Sequence, residues 1–192
     1  MRKLLIIITV ILVTSPCFSQ DHYEWGYKDY PCTPVKQKYD TWCFFASLST
    51  IFGGPQCMYA TSYYVSFRNA HYRTDCCNAE GTTDFIVCTD NEIFMKDVVK
   101  FMNMLLGGGT PETSYSSIIY GRELEPGKYK NPRMFPTIGF FGIGTVRHAV
   151  ALFSVEVFNY NTKNEYWIYE YVDPFTGTRN FKPESSMQLV VI

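Results

Sequence analysis

The chain has 192 residues, of which 46% are hydrophobic, 17% aromatic and only 18% charged. Such a composition supports a packed core and argues against disorder. Lys plus Arg total 17 against 18 for Asp plus Glu, a formal net charge of -1 with no basic run after the first three residues. Nucleic acid is therefore not an expected partner, because phosphate binding needs a concentrated positive face. Tyr and Phe supply much of the apolar content, whereas long helical arrays are rich in Ala, Glu, Lys and Leu. One domain mixing helix with sheet is expected.

Taken in chain order, the first element is a leader. Arg2 and Lys3 precede an apolar run from Leu4 to Val13, and Pro16-Cys17-Phe18-Ser19 follows with a breaker and small residues. This reads as a secretory signal peptide, residues 1–19, with cleavage after Ser19 and a mature domain over 20–192. The run is too short to cross a bilayer, which takes roughly 20 residues, and no later segment is long and apolar enough. A rival reading makes Cys17 a lipid attachment site, which Pro16 before it disfavours. Either way the chain is expected outside the cytoplasm, secreted or periplasmic. Without Arg2 and Lys3 the balance is 15 basic against 18 acidic residues, about -3.

The next element is a helix opened by Cys43. Phe44, Phe45, Leu48, Ile51 and Phe52 recur at helical spacing, Asp40 or Thr41 can cap the start, and Gly53-Gly54 ends the run. A sulfur in the first turn meets unpaired N–H groups and the positive end of the helix dipole, which favour a negative charge on it. The competing readings are a small core residue and a disulfide with Cys32.

Cys57, Cys76, Cys77 and Cys88 crowd a polar stretch containing Asp75-Cys76-Cys77-Asn78. In an oxidising compartment this reads as a stapled loop in which Cys76 and Cys77 each bond one of Cys57 and Cys88, in an order left open. A zinc site would prefer the short Cys-x-x-Cys spacing that is absent, and His71 nearby does not supply it. Helices are expected over Tyr59–Ala70 and Asn91–Leu106. Short strands follow around Tyr115–Tyr120, Arg133–Phe141, His148–Phe158, Glu165–Val172 and Met187–Ile192. No cofactor or metal is expected, and the methionines read as core packing.

A cysteine nucleophile needs an imidazole, and the three histidines are His22, His71 and His148. The first two read as surface residues. His148 heads a largely buried strand after the glycine-rich segment 139–144. Its strand and the next form a hairpin across the polar turn Asn159–Asn164, so the outer ends bearing His148 and Asp173 lie side by side. The carboxylate can then hold the imidazole N–H. The remaining need, a donor for an oxyanion, can be met by the side-chain amide of Gln37, six residues before Cys43.

Together these residues resemble the papain-like cysteine peptidases, in which a Gln stands six residues before a Cys opening the central helix and a His heads a strand in a later β-rich half. The resemblance runs from Gln37 to Gly177, with Gln-x5-Cys and His...Asp-Pro as its specific elements. The Asp173-Pro174 pair and the cysteine arrangement are more similar to the secreted bacterial branch related to bacteriocin-leader-processing peptidases. It implies an α+β fold with a helical part to about 110 packed on an antiparallel β-rich part over 111–192, and a site in the cleft between them. It also implies the roles: Cys43 as nucleophile, His148 as general base, Asp173 as orienting acid, Gln37 as oxyanion donor, and a peptide or protein substrate. A monomer is expected. The sequence departs from the family in having Trp42 before and Phe44 after the cysteine, Arg147 before the histidine, and a long interval from His148 to Asp173. The alternative is a catalytically inactive papain-like domain that binds peptides or proteins.

Overall fold

The computed structural model describes residues 22–68, 74–89, 93–107, 117–120, 124, 135–143, 146–183 and 187–191. Its elements are β1 (His22–Gly26), α1 (Cys43–Phe52), α2 (Gln56–Phe67), α3 (Asp84–Thr89), α4 (Met95–Leu105), β2 (Ser117–Tyr120), β3 (Thr137–Ile143), β4 (Val146–Phe158), β5 (Tyr166–Asp173), β6 (Thr178–Pro183) and β7 (Gln188–Val191). The strands form one antiparallel sheet in the order β2-β7-β3-β4-β5-β6, with β1 also on β4. The fold is a mixed α+β arrangement. The expected leader, Cys17 and His71 lie outside the described residues. No described helix is long and apolar enough to cross a membrane.

The long strand β4 organises the sheet. One of its edges is shared end to end, its first half pairing with β3 and Ser154–Phe158 pairing with β1, while the other edge pairs with β5. Strand residues alternate between faces, and here Ala149, Ala151 and Phe153 join the helix-side core, whereas Val150 and Leu152 join a second core with Trp25, Phe135, Tyr169 and Tyr171. The register shifts between Leu152 and Ser154. A bulge reverses the alternation, so Val155 and Val157 fall on the second core as well. The near-continuous apolar run 149–153 is thereby explained: both faces are covered.

The helix opened by Cys43 is enclosed on every side, with Phe44 through Ile51 all buried. It is a central helix held between the sheet and Ala60, Tyr63 and Tyr64 of α2, with Phe52 alone turned outward at 41% exposure. Its cap differs from the expected one. Trp42 occupies the N-cap position without a side-chain cap, and the Thr41 hydroxyl donates elsewhere. Gly53, at a positive φ of 74°, ends the helix as anticipated.

Disulfides join Cys57 to Cys77 and Cys76 to Cys88, which settles the order left open. The stapled loop contains the short helix α3, whose six residues are too few to show a helical period. Cys32 and Cys43 are both free, so they do not bond each other. Helices α2 and α4 begin three residues earlier and four residues later than expected. Strands β1 and β6 were not anticipated.

The segment between β1 and α1 is stitched to the sheet by charge. Glu170, 1% exposed, is paired with Arg179, accepts the Ser154 hydroxyl at 2.9 Å and accepts the Asp29 N–H at 3.2 Å. Arg179 also donates to the Tyr30 carbonyl at 2.9 Å. Removing one partner of a buried pair leaves the other charge uncompensated. Glu170→Gln should therefore lower the unfolding free energy by about 3 kcal/mol in denaturant titration, and a loss under about 1 kcal/mol would show that solvent already screens the pair.

Candidate active site

The site forms where β5 stops. Extending the β4–β5 register from Ala151–Val172 by two residues brings Pro174 opposite Ala149, and proline has no N–H to continue the ladder. Helix α1 takes the vacated edge. The Ala149 N–H points to the Cys43 sulfur at 3.5 Å, and the Ala149 carbonyl lies 3.3 Å from the buried Ser47 hydroxyl. That hydroxyl also donates to the Cys43 carbonyl at 2.8 Å. The first turn of α1 is thus fastened to the strand residue that follows His148.

The His148 ring lies beside this junction. Its Nε2 is 2.8 Å from Asp173 Oδ1, with the two side chains 18% and 25% exposed. The same Oδ1 accepts the Phe175 N–H at 2.8 Å, which fixes the carboxylate. Across the sheet Phe141 stands opposite His148 and packs edge-on against Tyr171 at 4.9 Å. Burial pulls the ring's pKa down, but hydrogen bonding to Cys43 and to Asp173 and the charges of both push it up, and the net result is above the ordinary 6.5. With Nε2 on the carboxylate, Nδ1 is the ring nitrogen left for the sulfur. His148 and Asp173 are therefore paired, the Cys43 sulfur lies against the N–H of the next residue, Ala149, and Asp173 is the last residue of β5 instead of the first of the turn.

Gln37 is brought to the same end of the molecule by a different route. Its N–H donates to the Pro174 carbonyl at 2.8 Å, directly after Asp173. Gln56, the first residue of α2, donates to the Lys36 carbonyl at 2.6 Å and accepts the Lys38 N–H at 3.1 Å, bracketing Gln37 on both sides. Gly177 has φ 70°, and a Cβ there would lie 3.2 Å from Lys36 Cβ, so the β5–β6 turn requires glycine to let this segment pass. The Gln37 amide nitrogen donates to the Tyr39 and Asp40 carbonyls at 3.1 and 3.0 Å, while its Oε1 is buried without a partner. In this arrangement the amide braces the loop leading to Cys43.

The other candidates are committed elsewhere. His22 stacks on Phe158 and lies 3.1 Å from Glu156, holding β1 to β4. Cys32 lies on the opposite end of α1 from Cys43, lining a cavity of about 430 Å³ with Ser49, Thr50 and Gly53. Burial pushes its thiol's pKa up, against the lowering effect of Arg179. Among the described residues no cluster of His, Cys, Asp and Glu is arranged to hold a metal ion. Ser47, Ala149 and Gln56 were missed by sequence reading. Of these only Ser47 carried a signal, being four residues after Cys43 on the same helix face.

Comparison with models of protein families, with curated proteins and with solved structures finds no match.

Because the imidazolium is favoured by its two partners, the stabilisation that it contributes is complete below about pH 6.5 and fades as pH rises through the raised value. In an NMR titration, His148 should have its midpoint above 6.5. Cys43→Ala and Asp173→Asn should each lower that midpoint, and an unchanged midpoint in either variant would show that the ring does not feel the group removed.

Proposed function

We propose that the chain is an exported papain-like cysteine peptidase, hydrolysing peptide bonds through Cys43, His148 and Asp173 with Gln37 as oxyanion donor. The observation that carries this reading is the placement of Asp173 Oδ1 2.8 Å from the His148 ring and of the Cys43 sulfur, outside both disulfides, 3.5 Å from the N–H of Ala149, the residue after His148. Export is supported by the apolar leader-like run and by the two disulfides, which suit an oxidising compartment.

In the mechanism, His148 holds the thiol proton as an imidazolium, and the Cys43 sulfur attacks the peptide carbonyl carbon. The tetrahedral oxyanion is met by the Cys43 backbone N–H and by the Gln37 amide, one of whose hydrogens leaves its loop carbonyl. The imidazolium gives its proton to the leaving nitrogen, the C–N bond breaks and an acyl thioester remains. Neutral His148 then takes a proton from water, whose oxygen attacks the thioester. The C–S bond breaks to release the acid, and the proton returns to the site. Asp173 keeps Nε2 engaged throughout, so the ring presents Nδ1 to the sulfur.

One observation favours the second reading, a domain that binds peptides without cleaving them: both hydrogens of the Gln37 amide are spent on its own loop. Hydrolysis of a mixed peptide library separates the two. The peptidase reading expects cleavage that Cys43→Ala abolishes and that Gln37→Ala reduces by about 10²- to 10³-fold in kcat. Undiminished cleavage by Cys43→Ala contradicts it. Equal peptide binding by both proteins with no cleavage by either supports the binding domain.

A further inference from the structure

The residue before Cys43 is bolted to a different part of the molecule from the one that Cys43 faces. Trp42 is 1% exposed, and its indole N–H donates to the Cys88 carbonyl at 2.6 Å. The Thr41 hydroxyl donates to the neighbouring Thr89 carbonyl at 2.7 Å. Both acceptors belong to the last turn of α3, where carbonyls have no partner within the helix. Cys88 is itself tethered to Cys76.

Ring packing reinforces the seat. Trp42 lies edge-on to Tyr39 at 4.7 Å and to Phe45 at 5.9 Å, and Tyr39 lies edge-on to Phe85 of α3 at 5.5 Å. The backbone of Trp42 meanwhile begins α1: its carbonyl accepts the Ala46 N–H at 2.9 Å, and no side chain caps the helix. One residue therefore starts the nucleophile's helix with its main chain and docks on the disulfide-tethered turn with its side chain. No residue intervenes between this anchor and the sulfur-bearing one, so displacement of the anchor moves the sulfur.

We propose that Trp42 is a positioning residue for Cys43, its indole–carbonyl hydrogen bond to the tethered turn of α3 holding the start of α1 where the sulfur meets His148 and the Ala149 N–H. This inference rests on the Cys43–His148 pairing of the proposed function. Trp42 touches no reacting atom and acts through the helix start. The turn of α3 thereby becomes part of the site's support.

Trp42→Phe keeps a large ring in the core and removes the donor. Its test is the rate constant for alkylation of Cys43 by iodoacetamide at neutral pH, read with the His148 titration and the melting temperature. Alkylation is expected to slow by about 10-fold, short of the 10²-fold that a 1 Å misplacement can cost. The His148 midpoint is expected to move down as the ring loses its sulfur partner. A lower melting temperature with alkylation and His148 titration unchanged overturns the proposal, because the hydrogen bond is then only structural. If Trp42→Phe does not fold, Thr41→Val is read the same way, with about a 3-fold slowing expected from one weaker anchor. Wild-type protein is the control for the pairing itself: Cys43 alkylated no faster than Cys32, with His148 titrating at an ordinary value, removes the pairing and the proposal together. A normal wild type with an indifferent variant removes only the role of Trp42.

Discussion

The open edge of β4 at Ala149 is the constraint on which the rest of the arrangement depends. A strand that ends at Asp173-Pro174 leaves one N–H and one carbonyl without ladder partners, and buried backbone groups must find others. Here the first turn of α1 supplies both, through the Cys43 sulfur and the Ser47 hydroxyl. The same proline that stops the ladder leaves Asp173 at the strand's end, 2.8 Å from the His148 ring. Sulfur, imidazole and carboxylate are brought together by one act of chain termination.

Around that junction the molecule is braced from several directions. The 29–37 segment is pinned by the Glu170–Arg179 pair, by the Val35 N–H on the Thr50 hydroxyl at 3.1 Å, and by the Gln37 N–H on Pro174. The disulfide-stapled loop grips the residues just ahead of Cys43 from the opposite side. The helix bearing the sulfur is thus held at its start by α3, along its length by the core and at its partner strand by Ser47. Such over-determination suits a group whose chemistry depends on sub-ångström placement.

Much of this was legible in the residues. The helix opened by Cys43, its glycine stop, the β4–β5 hairpin and the participation of all four clustered cysteines follow from spacing and composition alone, as does the meeting of His148 with Asp173. The α+β class is likewise as expected, with helices concentrated in the first half, although β1 returns an early segment to the sheet. What sequence could not convey was pairing that depends on distant chain. Strand β1 fills the edge left by the second half of β4, and α3 is tied down by the Cys76–Cys88 disulfide. The burial of α1 on all sides likewise reflects its neighbours, which enclose Ser47, Ser49 and Thr50 together with the apolar residues. Gln37 shows the limit most clearly. Its amide was expected as a donor beside Cys43, yet it faces the Tyr39 and Asp40 carbonyls, a detail of loop shape that spacing does not encode.

The most direct test of the central claim is to look for the covalent intermediate. Protein mixed with an activated peptide ester and quenched in acid should carry the acyl mass on the proteolytic fragment containing Cys43, and the Cys43→Ala protein should carry none. Ester turnover with no acyl group at Cys43, or acylation confined to Cys32, would contradict the account.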